Sequence, residues 1–176
     1  MVLMWILMAV VVVVAAAGVS MLVGLWRLSR NQPATGEIAL GASNGALSPC
    51  PESPNCVSTQ ADPSDAAHYV PPIAYPGSRD AVREALARWV GRQADAELVT
   101  SRDDYLHAVF SSRLFGFRDD LELVLPESEP VVHLRSASRV GYGDMNVNRK
   151  RYEAVRQAVR AAHGEVPAEG EGGTDR

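Results

Sequence analysis

Between Met1 and Trp26 the chain has no Asp, Glu, Lys, Arg or His. So long an uncharged apolar surface has nothing comparable to pack against in water, and it exceeds the roughly 20 residues needed to cross a bilayer. A cleaved secretory leader would use Ala15-Ala16-Ala17 as its processing site. That reading lacks a basic region ahead of the apolar run, and Gly18 to Trp26 stay apolar beyond the cut. No Cys follows closely enough to carry a lipid, and Gly18 and Gly24 do not form a GxxxG pair. The expectation is one uncleaved transmembrane anchor over residues 1–28.

Other absences narrow the chemistry. Internal repeats and long charge blocks are missing, and a formal net charge of -4 argues against nucleic acid as a partner. Ser136-Ala137-Ser138 lacks the Gly-flanked elbow that exposes a nucleophilic serine. Gly116, Gly141 and Gly143 stand alone, so no phosphate-cradling loop forms. No cofactor is expected. Cysteine is scarce too: Cys50 and Cys56 are the only pair, in CPESPNC. Two thiolates make half a zinc site, no C-x-x-C partner or His pair completes it, and the spacing is wrong for a thioredoxin-like motif. The pair reads best as a disulfide, which requires an oxidising compartment and puts the soluble domain outside the cytoplasm. Arg27 and Arg30, just after the apolar span, argue for the opposite orientation by the positive-inside rule.

What remains is organised around one small domain. Residues 29–69 are rich in Ser, Pro, Gly, Ala and Asn and read as linker and Cys-containing loop. The tail 164–176 is acidic and Gly-rich and reads as disordered. Residues 70–163 are left for a compact unit with one core. Ser78 is a fitting N-cap for a helix ending at Gly91, with Val82, Leu86, Trp89 and Val90 on one side. Strand periodicity follows in Glu97–Thr100, Tyr105–Ser111, Leu121–Leu125 and Val131–Val140. A final helix over Asn148–Ala162 carries Tyr152, Val155, Val159 and Ala162 on its apolar side. This order predicts an α+β two-layer sandwich: a small, mostly antiparallel sheet with two helices on one face, preceded by the anchor.

Alternation divides that sheet into two faces. Leu106, Ala108, Phe110, Leu121, Leu123, Leu125, Val132 and Leu134 should receive the helices. Tyr105, His107, Glu122, His133, Arg135 and Arg139 take the other side, the two arginines about 13 Å apart along the strand. A second polar group lies nearby in sequence: Arg113, Arg118, Asp119, Asp120, Tyr142, Asp144, Asn146 and Asn148. The guanidinium forks suit an anionic or polar ligand, whereas a solvated face laced with weak Arg–Asp pairs needs no ligand at all. His107 and His133 could share a metal only if their strands are neighbours. His107 with Asp103 or Asp120 would be the acid–base pair of a hydrolase.

Several segments together resemble the domain of unknown function 1499 family. They are CPESPNCVSTQ (50–60), YLHA (105–108), LFGFRDD (114–120), RSASRVGYGD (135–144) and Val147-Asn148-Arg149. The resemblance spans about Leu47 to Ala162, with Gly143 where Ser is common. It implies a bacterial envelope or plastid-associated setting behind an anchor, keeps the Cys pair and the Arg-Ser segment, and implies no established activity. The residues marked for ligand binding are therefore Arg135, Ser136, Ser138, Arg139, Tyr142, Asp144, Asn148, Arg149, His107, Asp119 and Asp120. A non-catalytic module binding an envelope partner protein or small anion ranks first, a purely structural polar cluster second, and an enzyme third.

Overall fold

Helical and strand periodicities are realised in the computed structural model, which describes residues 1–162; the expected tail 164–176 lies outside them. The elements are α1 (Val2–Arg30), a 3-10 turn (Thr35–Glu37), β1 (Cys56–Ser58), β2 (Ile73–Ala74), α2 (Arg79–Gly91), β3 (Ala96–Ser101), β4 (Tyr105–Ser111), β5 (Arg118–Val124), β6 (Val131–Ser138) and α3 (Val147–Ala162). The sheet runs β1-β6-β5-β4-β3, with β2 on the same side of β6 as β1, and every pairing is antiparallel. The protein is thus α+β, as expected, with an N-terminal helix long and apolar enough to cross a membrane.

One sheet face receives α2 and α3. Ser78 caps α2 by accepting the Ala81 N–H, and Val82, Leu86 and Val90 then point inward at helical spacing. Tyr152, Val155 and Val159 do the same from α3 against Leu106, Ala108, Phe110, Leu121, Leu123, Val132 and Leu134. These are the strand positions assigned to the helix-covered face. Burial of these aliphatic side chains holds the layers together, each contributing on the order of 1.5–3 kcal/mol.

Two expectations need correcting. Residues 29–69 are not simply linker and loop, because Cys56–Ser58 pairs with β6 (Cys56 opposite Ala137, Ser58 opposite Arg135) and Val57 enters the core. Three residues are too few to display a period. The second sheet face is also not solvated. Tyr105, His107, Asp120, Glu122 and Arg135 are buried, and the chain between Pro33 and Leu47 lies against them: Leu47 and Ala42 cluster with Tyr105 and Val124. A cover without a period of its own is invisible to pattern reading.

Leu123 is fully buried, so Leu123→Ala should cost about 2–5 kcal/mol through lost burial and a residual cavity. Val99→Ala, on an exposed stretch of β3, should stay within about 0.5 kcal/mol. Urea unfolding of the detergent-solubilised chain measures both.

Candidate functional site

The buried face holds two ion-pair networks, set side by side by the register of β4, β5 and β6. His107 lies opposite Glu122, and Glu122 opposite Arg135. Glu122 Oε1 accepts the Tyr105 hydroxyl (2.7 Å) and the Gly41 N–H (2.7 Å), while Oε2 accepts Arg135 Nη1 (3.1 Å). Burial, then the hydrogen bond to Glu122, raises the Tyr105 pKa far above the ordinary phenol range. Gly41 reaches Glu122 with φ at +104°, a backbone conformation suited to glycine.

Asp120 is the centre of the second network. His107 Nε2 lies 2.9 Å from Oδ1, and Arg139 closes a bidentate fork through Nη2 to Oδ1 (2.8 Å) and Nε to Oδ2 (2.9 Å). An ionised carboxylate only accepts, so Nε2 is the protonated nitrogen of His107. Burial pushes the Asp120 pKa up, but the hydrogen bonds and charges of His107 and Arg139 outweigh it and hold the carboxyl below its ordinary range. Arg139 also donates Nη1 to the Pro33 carbonyl (3.0 Å) and Nη2 to Thr35 Oγ1 (2.9 Å). Its side chain is 0 % exposed. The His107 and Asp120 side chains are each 3 % exposed, so the pair that resembled an acid–base dyad is enclosed by the chain, with Arg139 as its third member. Asp103 is exposed in the turn before β4. His107 and His133 cannot share a metal, because β5 separates their strands.

The remaining marked residues fall elsewhere. Ser136, Ser138 and Asp119 sit on the opposite face, under α3. Asn148 uses its whole amide there: Oδ1 accepts from Ser136 Oγ and Arg151 Nη1 (both 2.6 Å), and Nδ2 donates to Asn55 O (2.9 Å) and Ser138 Oγ (3.0 Å). Arg151 continues to Asp119 (2.9 Å) and stacks over Phe110 at 4.3 Å. Asp144 accepts the N–H groups of Asn146 (2.9 Å) and Asn148 (2.8 Å), holding the start of α3. Arg149 ties down the carbonyls of Ala66, Ala67 and Tyr69. Tyr142 is exposed. The marked residues therefore do not form one site: Arg135, Arg139, His107 and Asp120 share one face, Ser136, Ser138, Asp119, Asn148 and Asp144 are grouped on the other, and Arg149 and Tyr142 stand apart.

Sequence reasoning missed Arg151, Asn55 and the contacts from Pro33, Thr35 and Gly41. Arg151 lies one helical turn after Asn148, a spacing that was readable; the others come from segments without periodicity. It also missed His68, whose Nδ1 lies 2.7 Å from Asp65 and Nε2 3.1 Å from the Ser53 carbonyl. The hydrogen bond to Asp65 is the chief reason the His68 pKa is raised. His68 thereby ties the loop after β1 to the loop closed by the Cys50–Cys56 disulfide.

A family model described as "Protein of unknown function (DUF1499)" matches residues 46–159. The chain belongs to this family. No curated protein and no solved structure matches it. The DUF1499 match takes in β1 through most of α3, and with them His107, Asp120, Glu122, Arg135 and Arg139. Pro33, Thr35 and Gly41, the groups that cover those side chains, precede it.

A depressed folded-state pKa on Asp120 gives stability that is present above the unfolded carboxylate pKa of about 3.9 and lost as pH falls through the folded value. Asp120→Asn should therefore lose about 3–5 kcal/mol at pH 7 by stranding Arg139. The gap to wild type should narrow as pH drops below about 4. Melting temperatures from pH 7 to pH 2 test this; a gap that is constant with pH contradicts it.

Proposed function

We propose that this DUF1499 protein is a non-catalytic, single-pass module of the cell envelope, in which the Arg-rich face joins the anchor to the domain. The observation that carries this reading is the position of Arg139. One side of its guanidinium grips Asp120 from β5, and the other grips Pro33 and Thr35, just beyond the end of α1. A ligand-binding arginine needs open donors; this one is enclosed by its own chain. The segment from Pro33 to Leu47 thus acts as a strap that welds the anchor's exit to the sheet and fixes how the domain is presented at the membrane.

The competing assignment of the same arginines is an anion site. Removing Arg139 separates the two. Arg139→Ala should lower stability by about 3–5 kcal/mol, because Asp120 is left buried and unpaired, and should open residues 33–47 to limited proteolysis. Arg139→Lys should rescue little, since a point charge cannot reproduce the fork. Unchanged melting temperature and unchanged protease resistance would return the face to ligand binding.

The domain faces the periplasm in this proposal. The Cys50–Cys56 disulfide supports that side; Arg27 and Arg30 oppose it as a two-residue bias. In intact cells a membrane-impermeant thiol reagent should label the protein only after reduction. Labelling only after lysis, with no reductant needed, would put the domain on the cytoplasmic side.

A further inference from the structure

We infer that the loops at residues 112–117 and 141–147 are a membrane-docking surface, seated in the headgroup layer of the same bilayer that α1 spans. The inference rests on the reading of α1 as anchor and of the Pro33–Leu47 strap as a weld, and adds the surface that meets the lipid.

Position comes first. At a 1.5 Å rise per residue, the 29 residues of α1 extend about 43 Å, against a hydrocarbon core of about 30 Å. The uncharged run ends at Trp26, an aromatic suited to the interface, and Arg27 and Arg30 follow it at headgroup level. Ser29, at the same level, donates to the Phe115 carbonyl. Gln32 donates to the Gly116 carbonyl (2.9 Å) and accepts the Arg118 N–H (2.5 Å). The 112–117 loop is therefore bound to the segment of chain that leaves the bilayer. Because β4, β5 and β6 alternate in direction, the connection from β6 to α3 lies at this same end. It shares with the anchor a cavity of about 440 Å³ in which Met145 and Val147 face Leu25 and Leu28. Leu25 belongs to the uncharged run, so Met145 reaches the level of the lipid boundary.

Chemistry comes second. Leu114, Tyr142 and Met145 are 81 %, 79 % and 88 % exposed, three large apolar side chains at the tips of two adjacent loops. Phe115 and Phe117 lie beside them, partly exposed. Met145 holds its position with a left-handed φ of +54°, followed by Asn146 at +62°. That conformation is costly for residues bearing a side chain. It is sustained by the Asp144 carboxylate, which accepts the Asn146 and Asn148 N–H groups. Exposed Arg113 and Arg118 flank Leu114 and Phe117 in sequence and, with Arg27 and Arg30 at the end of α1, supply positive charge suited to phosphate headgroups. Apolar tips with a basic rim, on loops bonded to a helix end, match a bilayer interface in depth, polarity and charge.

The test uses the full chain in vesicles of phosphatidylethanolamine and phosphatidylglycerol. Single nitroxide labels are placed at Leu114→Cys, Met145→Cys, Val13→Cys and Ser128→Cys, with the native disulfide left oxidised. Relaxation by oxygen, which partitions into lipid, is compared with relaxation by a water-soluble nickel chelate. Val13 reports on the anchor, and Ser128, in the exposed turn between β5 and β6, on the far end of the domain. The oxygen-to-nickel ratio should be several-fold higher at Leu114 and Met145 than at Ser128, and highest at Val13. Ratios at Leu114 and Met145 equal to that at Ser128, with Val13 still lipid-exposed, would overturn the docking surface while leaving the anchor intact. Labels at Leu114 and Met145 shielded from both reagents would overturn it in favour of a protein partner. A water-like ratio at Val13 would defeat the anchor reading itself.

Discussion

The strap side of the sheet is organised around buried carboxylates that must be paired, Asp120 foremost. Asp120 lies in the middle strand and would be strongly disfavoured there as a lone charge. His107 and Arg139 approach it from the neighbouring strand and from just beyond β6, making three hydrogen bonds to its two oxygens. That arrangement leaves two guanidinium donors pointing outward from the sheet, and the chain leaving the anchor supplies the carbonyl and hydroxyl that receive them. Glu122 repeats the device one pleat further on, with Tyr105 and Arg135 beside it and the Gly41 N–H arriving from the strap. Each buried charge requires the cover, and the cover is held in place by the charges. A purely apolar second face could be covered by any greasy segment; these carboxylates and guanidiniums demand one particular chain path.

The division of labour between the two faces explains what was legible in the sequence. On the helix-covered face, strand period, helix period and composition agree, so Leu106, Leu123 and Leu134 could be placed beforehand, as could Val82 and Val155. The polar residues of the other face were assigned to the correct side of the sheet, yet their surroundings were misjudged. Tyr105, His107, Glu122 and Arg135 look like a solvated stripe because solvated stripes and buried ion-pair layers have the same alternation. What distinguishes them is a contact some eighty to a hundred residues away in sequence, made through backbone groups of Pro33 and Gly41 that no side-chain pattern can advertise. Most of the residues grouped as a ligand site lie close together in sequence between Arg135 and Arg149, but Ser136 and Ser138 alternate with Arg135 and therefore face α3, where Asn148 and Arg151 meet them. Strand alternation alone could have split that group.

The boundaries of the family match fit the same picture. DUF1499 begins at residue 46, so the buried His–Asp–Arg and Tyr–Glu–Arg networks belong to the family domain, whereas most of the strap lies before it. In this chain the segment that follows α1 supplies the polar cover, which makes the connection from α1 to the sheet part of the fold. A free tether of Ser, Pro and Gly would leave this segment unattached; two hydrogen bonds from Arg139 and one from the Gly41 N–H to Glu122 hold it against the sheet.

The two arginines that end α1 can be understood in that light. As a topology signal they favour a cytoplasmic domain, in conflict with the disulfide. As structural elements they close α1: Arg30 stacks on Trp26 at 4.7 Å, the loop around Phe115 is bonded to the intervening Ser29, and in the proposed anchoring of α1 both arginines stand at headgroup level. A guanidinium next to phosphate is favourable on either side of a bilayer, and an aromatic beneath it covers the boundary between hydrocarbon and headgroup. In that proposal Arg27 and Arg30 have an interfacial role that requires no particular orientation, and their weight as a topology signal falls accordingly. A disulfide has no such alternative duty: it persists only where the compartment oxidises it.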